Sequence, residues 1–237
     1  MPALSVAFPA HNEAENIVEV LTEAVEVLER IEPDYEIVVV DDGSKDGTGR
    51  LVAEFAEAHR RVRLVTHPVN QGYGGAVWTG LTASTGDKRC FTDSDGQFRL
   101  EELRLLVAQM PPADFVSGYR NPRRDTLSRR FRGWGWTRLN NVVFGYVARD
   151  VDCGFKLMRA EVVERCPVQS RGAMFSAELH IRARRAGFIY QEVPVTHLPR
   201  TKGAASGGRL DVIVRGFKEL VGVWMDLRTH PQPRVKP

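Results

Sequence analysis

Glu36-Ile37-Val38-Val39-Val40 sets the tightest limit on what this chain can fold into. Four consecutive β-branched residues make a strand that is apolar on both faces. Such a strand belongs in a sheet covered on both sides, and covered sheets are largely parallel. The run stops at Asp41-Asp42-Gly43-Ser44, a polar turn. The same plan recurs on either side of it. Leu4-Ser5-Val6-Ala7-Phe8 is a first strand that halts at Pro9. Asn12, with Glu15 three residues on, makes a capping-box-like start for a helix with Ile17, Val20, Leu21, Ala24, Leu28 and Ile31 at helical spacing. A helix with Leu51, Val52 and Phe55 follows the second strand, and Val62-Arg63-Leu64-Val65 is a third. Gly72-Tyr73-Gly74-Gly75-Ala76 opens a helix carrying Val77 and Leu81, and Arg89-Cys90-Phe91-Thr92 is a fourth strand. This alternation predicts an α/β domain with a doubly wound, mostly parallel, Rossmann-like sheet.

Ligands of such sheets sit at the carboxyl ends of the strands. Pro9-Ala10-His11, Asp41-Asp42 and Asp93-Ser94-Asp95 all fall at such ends. Asp93 and Asp95 both face a ligand once the chain leaves the extended state, and Gly96 permits that turn. Hard oxygen donors this close suit Mg²⁺ or Mn²⁺, which keep positions open for substrate phosphates. Alone, Asp-x-Asp reads first as a solvated turn; the convergence of three polar clusters on one edge reverses that.

After residue 113 the rhythm breaks. Asp114-Phe115-Val116-Ser117-Gly118 is a strand. Arg120, Arg123, Arg124, Arg129, Arg130, Arg132 and Arg138 then crowd one segment, with Asp125 its only acid and Trp134 and Trp136 interleaved. This is either a solvated basic loop or a phosphate-binding surface at a lipid interface, where Trp and Arg both settle. Leu139, Val142, Val143 and Tyr146 continue as a helical stripe. Asp150-Val151-Asp152-Cys153-Gly154-Phe155-Lys156 is a polar turn before a short apolar strand, Met174 to Ala186 a helix bearing Glu178, and Ile189-Tyr190-Gln191-Glu192-Val193 a late strand. Arg200 to Gly208 is a basic, glycine-bearing loop suited to closing over phosphates. Leu210, Ile213, Val214, Phe217, Leu220, Val221, Trp224 and Leu227 form one helical stripe, which packs either on the core or in the plane of a membrane.

The 237 residues suffice for one large domain, and 43% hydrophobic with 27% charged residues is a globular balance. Three scattered cysteines give neither a disulfide framework nor metal-ligand spacing, so a reducing cytosol is expected. No signal peptide is visible, and no apolar run approaches the ~20 residues of a membrane span. Any membrane contact is therefore expected to be peripheral. A net charge of +3 without a nucleic-acid-binding motif argues against nucleic acid as a partner.

Several motifs in order carry a resemblance: Phe8-Pro9-Ala10-His11-Asn12-Glu13, Val40 to Thr48, Asn70-Gln71-Gly72-Tyr73-Gly74-Gly75-Ala76, Asp93-Ser94-Asp95-Gly96-Gln97, Gly118-Tyr119-Arg120, Cys153-Gly154-Phe155-Lys156 and Arg200 to Ser206. Over residues 3–208 the chain resembles family 2 glycosyltransferases of the GT-A fold, polyprenyl-phosphate sugar synthases of the dolichyl-phosphate mannosyl- and glucosyltransferase type above all. The resemblance implies a GT-A domain over 1–208; the apolar stripe beyond it sets an amphipathic helix over 209–228, and the proline-rich end is expected to be a disordered tail over 229–237. The resemblance also implies that Pro9, His11, Glu13, Asp42 and Asp93 bind the nucleotide sugar, GDP-mannose or UDP-glucose. Asp95 and Gln97, with Asp93, would hold Mg²⁺ or Mn²⁺. Arg120 and one of Arg129 or Arg130 would receive the phosphate of a polyprenyl phosphate. The family often has a serine and an asparagine further along, where this chain has Gly133 and Thr137. Arg200 would close on the donor diphosphate, with Lys202 nearby.

The activity so implied is inverting transfer of mannose or glucose to a polyprenyl phosphate, with Asp95, Arg120 and Arg200 catalytic. The protein would work in the cytoplasm at the inner face of the membrane, and the resemblance leaves room for a separate membrane subunit. Two other readings stay open. One is a family 2 enzyme acting on a hydroxyl acceptor, which needs a carboxylate base such as Glu178. The other is a non-catalytic nucleotide-sugar or anionic-membrane binding module.

Overall fold

The computed structural model describes residues 1–200, 202 and 210–230. The elements follow in order: β1 (Leu4–Ala10), α1 (Ile17–Ile31), β2 (Tyr35–Asp41), α2 (Thr48–Ala58), β3 (Val62–Thr66), α3 (Tyr73–Ala83), β4 (Lys88–Phe91), a 3-10 turn (Leu100–Glu102) running into α4 (Leu103–Val107), β5 (Phe115–Arg123), α5 (Leu127–Phe144), β6 (Lys156–Arg159), α6 (Ala160–Arg165), α7 (Phe175–Ala186), β7 (Tyr190–His197) and α8 (Leu210–Thr229). Seven strands form one sheet in the order β3-β2-β1-β4-β6-β5-β7. All pairings are parallel except those of β6, which is antiparallel to both β4 and β5.

Alternation of side chains along each strand divides the interior into two layers. Leu4, Val6 and Phe8 of β1 and Ile37 and Val39 of β2 face α1, α2 and α4. Ala7, Phe91, Phe115 and Met158 face α3, α6 and α7, and Val38 and Val40 face Ala76 of α3. Ile37 to Val40 are all fully buried, as their uninterrupted apolar run requires. Each such side chain contributes roughly 1.5–3 kcal/mol of burial. Because β6 runs backwards, its first residue, Lys156, lies at the edge where the other strands end.

Three expectations change. Asn12 is not a helix cap. It sits at φ 56°, and its side chain accepts from Lys45 N instead (2.9 Å), while Asn16 occupies the cap position of α1. Asparagine tolerates the left-handed region because its short amide can hydrogen-bond locally. The arginine-rich segment is not a loop. β5 runs on to Arg123, and α5 starts at Leu127, twelve residues before its apolar stripe. Its first turns are hidden in the sequence because their buried face is Gly133, Thr137 and Asn140, whereas Leu127, Phe131 and Trp134 point outward. The C-terminal stripe also divides. Leu220, Val223 and Leu227 pack with Met174, Ala177 and Ile181 of the α7 region, and Val214, Phe217, Val221 and Trp224 are exposed. Asp226 pairs with Arg182 of α7 at 2.6 Å and fixes α8 to the body.

Thr229 still belongs to α8. The tail from 231 to 237, and residues 201 and 203–208 of the loop after Arg200, lie outside the described residues. Among the described residues no helix is long and apolar enough to cross a membrane. All three cysteines are buried free thiols.

Candidate active site

The ends of β1, β2 and β4 make one half of the site. The loops after β1 and β2 are laced together. Asn12 N donates to Ser44 Oγ (2.9 Å), Glu13 N to Thr48 Oγ1 (2.9 Å) and Ala14 N to Asp46 Oδ2 (3.0 Å). Gly43, at φ 69°, lies against the backbone of Val69 and Asn70, where a Cβ would come within 2.8 Å. Asp42 is buried and accepts from His67 Nδ1 (2.7 Å), Gln71 N (2.8 Å) and Gly72 N (3.0 Å). Its carboxylate therefore holds the entrance of α3. His11 lies at the rim. Its Nδ1 meets Asp42 O at 2.8 Å and its Nε2 meets the Asn12 amide at 3.0 Å, a pattern that fits the Nδ1–H tautomer. Buried Pro9 accepts from Ser94 Oγ at 2.7 Å, which ties β1 to the turn after β4.

That turn carries Asp93 and Asp95. Tyr73 donates to Asp93 Oδ1 at 2.8 Å. Gly154 gives the same carboxylate its room, since a Cβ there would come within 2.2 Å of Oδ2. Burial and the neighbouring Asp95 charge push Asp93 up to about 7, and burial also raises Asp95. Two half-buried carboxylates that resist ionising together are the donor set a hard divalent cation relieves. Gln97 N donates to Asp95 Oδ1 (3.1 Å), and its Nε2 donates to Leu198 O (2.8 Å). Leu198 N in turn donates to Gln97 O at 2.8 Å. Those bonds set the loop after β7 beside the turn. Arg200 Nη2 then reaches Glu13 Oε1 at 2.5 Å, with Nη1 at 3.9 Å from Asp95 Oδ2. Among the described residues no three His, Cys, Asp or Glu side chains cluster as a metal cage.

The other half comes from β5, α5 and the turn before β6. Arg120 is almost fully buried, and its Nε and Nη2 grip the two oxygens of Asp150 at 2.6 and 2.7 Å. That carboxylate holds the guanidinium charged, and the guanidinium pulls Asp150 below the usual carboxylate range despite its burial. Asp125 accepts from Arg123 Nε at 2.7 Å and lies 3.5 Å from Arg129 Nη1 and 3.8 Å from Arg120 Nη1. Arg129 thus turns inward and Arg130 is exposed. Arg123 lies against α5, where a Cβ at Gly133 would come within 2.8 Å of its Nη1. Burial pushes the Asp152 carboxyl up to about 6, with Arg120 opposing. Lys156 is fully buried, with its ammonium on Val151 O (3.4 Å) and Cys153 O, and burial lowers its pKa.

Glu178 is no helix-surface residue. It is fully buried and accepts from Gln169 N (3.1 Å), Ser170 N (2.8 Å) and Arg182 Nε (2.6 Å). Sequence reasoning gave no role to Tyr73, Arg123, Asp150, Asp152 or Lys156. Tyr73 and Lys156 lie inside quoted motifs, and the Asp-x-Asp spacing of Asp150 and Asp152 repeats that of Asp93 and Asp95. Arg123 leaves no local signal that separates it from its neighbours.

Comparison with known proteins assigns the chain. The glycosyl transferase family 2 model matches residues 5–166. The chain belongs to that family. It is 31% identical over 207 residues to a dolichyl-phosphate β-glucosyltransferase of Trichomonas vaginalis, covering 79% of this chain and 61% of the relative. It is 33% identical over 219 residues to the polyprenol monophosphomannose synthase of Mycolicibacterium smegmatis, covering 84% of this chain and 79% of that one. The fold matches the mannosyltransferase of Pyrobaculum calidifontis solved with GDP-Man and Mn²⁺, at a TM-score of 0.65 and 22% identity over 93% of this chain and 64% of that one. This family 2 chain therefore has the GT-A fold. It spans about three fifths of the Trichomonas relative's length.

Proposed function

We propose that this family 2 protein transfers a hexose, mannose or glucose, from a nucleoside diphosphate sugar to a polyprenyl phosphate, with inversion at the anomeric carbon. The observation that carries the proposal is the inward-facing arginine cluster, Arg120, Arg123 and Arg129, beside the Asp93–Asp95 pair. A phosphate monoester is already an anion at neutral pH and needs no strong base. It needs cations that hold it near a second anion, and guanidinium groups do this with two-point contacts. The names of the Trichomonas and Mycolicibacterium relatives support the same acceptor class.

The acceptor oxygen attacks the anomeric carbon as the bond to the donor diphosphate breaks. Arg129 and Arg123 orient the attacking phosphate, and Arg200 faces the departing diphosphate from the loop that Gln97 and Leu198 anchor. Pro9, His11, Glu13 and Asp42 shape the nucleotide end. A Mg²⁺ or Mn²⁺ ion held by Asp93, Asp95 and the Gln97 amide oxygen would offset leaving-group charge. The exposed Leu127, Phe131 and Trp134 of α5 and Val214, Phe217, Val221 and Trp224 of α8 give the protein a peripheral contact with the membrane that holds the acceptor, on its cytoplasmic side.

The second reading, a hydroxyl acceptor, needs a carboxylate base, and Asp152 in the turn before β6, its carboxyl pushed up by burial, is the residue to test for it; buried Glu178 is not placed for that work. The test is turnover of labelled GDP-mannose and UDP-glucose with Mg²⁺ or Mn²⁺, comparing polyprenyl phosphate with the free polyprenol and with soluble sugars. We expect product with the phosphate alone, and retention of that activity in Asp152→Asn. Product from an alcohol, lost in Asp152→Asn, would instead establish the second reading.

A further inference from the structure

Asp125 stands where a cluster of cations converges. Three guanidinium groups from two elements lie within 4 Å of its carboxylate: Arg123 and Arg120 from β5 and Arg129 from α5. Its side chain is only 5% exposed. Arg120 is additionally held by Asp150, and Arg123 Nη1 is 4.0 Å from the same residue. The cluster borders the donor half through β7. His197 pairs with Arg123 on one side and bridges Phe98 on the other, next to Gln97. A carboxylate ringed by three arginines occupies the kind of place that, on the reading above, an acceptor phosphate needs.

We propose that Asp125 is an internal occupant of the acceptor-phosphate pocket, and that Arg123 is a third acceptor-binding arginine beside Arg120 and Arg129. The inference rests on the phosphate-acceptor reading above and deepens it. In the free protein Asp125 keeps the three cations ordered and prevents their mutual repulsion. An incoming phosphate dianion carries more charge and more acceptor oxygens than a carboxylate, so it displaces Asp125 and takes over the arginines. Displacement reduces apparent acceptor affinity by the fraction of molecules in which the pocket is free. Gly133 belongs to the same design. With no side chain at that position, Arg123 has space beside α5.

A merely structural Asp125 and an internal occupant give opposite signs. Asp125→Asn keeps the shape and removes the competing charge. With polyprenyl phosphate varied at saturating nucleotide sugar, we expect the acceptor KM of Asp125→Asn to fall roughly tenfold, with the donor KM unchanged. Inorganic phosphate should likewise bind the variant more tightly in calorimetry with the full chain. An acceptor KM that is unchanged or raised in a folded Asp125→Asn protein overturns the proposal. Arg123→Gln provides the check if Asp125→Asn does not fold. It should raise the acceptor KM roughly ten- to a hundredfold and leave the donor KM alone, and an unaltered acceptor KM overturns it. Should wild type show no dependence on polyprenyl phosphate, the proposed function falls. The phosphate titration then decides the pocket by itself: tighter binding to Asp125→Asn supports the internal occupant, and equal or weaker binding refutes it.

Discussion

The two halves of the site are built in contrasting ways. The donor half is held by short loops whose backbone and side chains bond one another across the ends of β1, β2 and β4. Its charged groups are mostly carboxylates, and two of them, Asp93 and Asp95, are left in mutual repulsion. The acceptor half is a network of ion pairs, Arg120–Asp150 and Arg123–Asp125–Arg129, brought together from β5, α5 and the turn before β6. One half is strained by like charge and waits for a cation. The other is satisfied internally by its ion pairs and, on the proposed reading, exchanges one anion for another. The contrast teaches that removing a carboxylate charge relieves the first half, whereas removing a buried guanidinium from the second strands its partner carboxylate.

The largest effect should therefore be structural and fall in the acceptor half. Arg120→Ala leaves Asp150 buried without its partner and should lower unfolding free energy by about 3–5 kcal/mol, read from urea melts. Restoration of much of that loss by the double change Arg120→Ala/Asp150→Asn would sharpen the contrast; a single variant as stable as wild type would break it. Asp95→Asn, in the donor half, should reduce kcat roughly 10²- to 10³-fold while leaving melting stability equal or higher. Turnover near the wild-type value at saturating Mg²⁺ would refute the role given to Asp95.

How much of this was legible depended on the same contrast. The donor half was visible because its residues cluster at strand ends and its glycines mark turns that the local backbone requires. Asp42 shows the limit. Its position was evident, but its three bonds to His67, Gln71 and Gly72 span 25 to 30 residues, and no local pattern reports them. By composition the acceptor half appeared only as a run of arginines, and it was the resemblance that singled out Arg120 and one of Arg129 or Arg130. The first turns of α5 were hidden because they bury Gly133, Thr137 and Asn140 and expose Leu127, Phe131 and Trp134, the reverse of the pattern by which a surface helix is recognised. The backward direction of β6 was equally invisible. A four-residue apolar strand has no sequence signal for direction, yet that direction brings Lys156 to the site.

A smaller effect concerns pH. His197 faces Arg120 and Arg123, which disfavour its charged form, and Asp125 and Asp150, which favour it. Burial dominates and pushes it down to about 4 from the usual 6.5. The unfolded chain then binds the extra proton between those values. Stability from this group is complete above about 6.5 and is lost as pH falls toward 4. Thermal melts from pH 7 to 4.5 should show a shallower acid decline for His197→Gln than for wild type. Equal slopes would remove His197 from the account of the acceptor half.

The division of labour itself is tested most directly by one set of initial rates on Arg129→Ala and Arg200→Ala, with donor and acceptor concentrations varied independently. Each lost charge-assisted contact is worth roughly 1.5–3 kcal/mol, or about ten- to a hundredfold. Arg129→Ala should raise the acceptor KM by that factor and leave the donor KM near wild type. Arg200→Ala should raise the donor KM and lower kcat, because leaving-group charge is greatest in the transition state, with the acceptor KM little changed. If both variants shift the same constant, or if Arg129→Ala weakens the nucleotide sugar and Arg200→Ala only the acceptor, the two halves are not the donor and acceptor sites described.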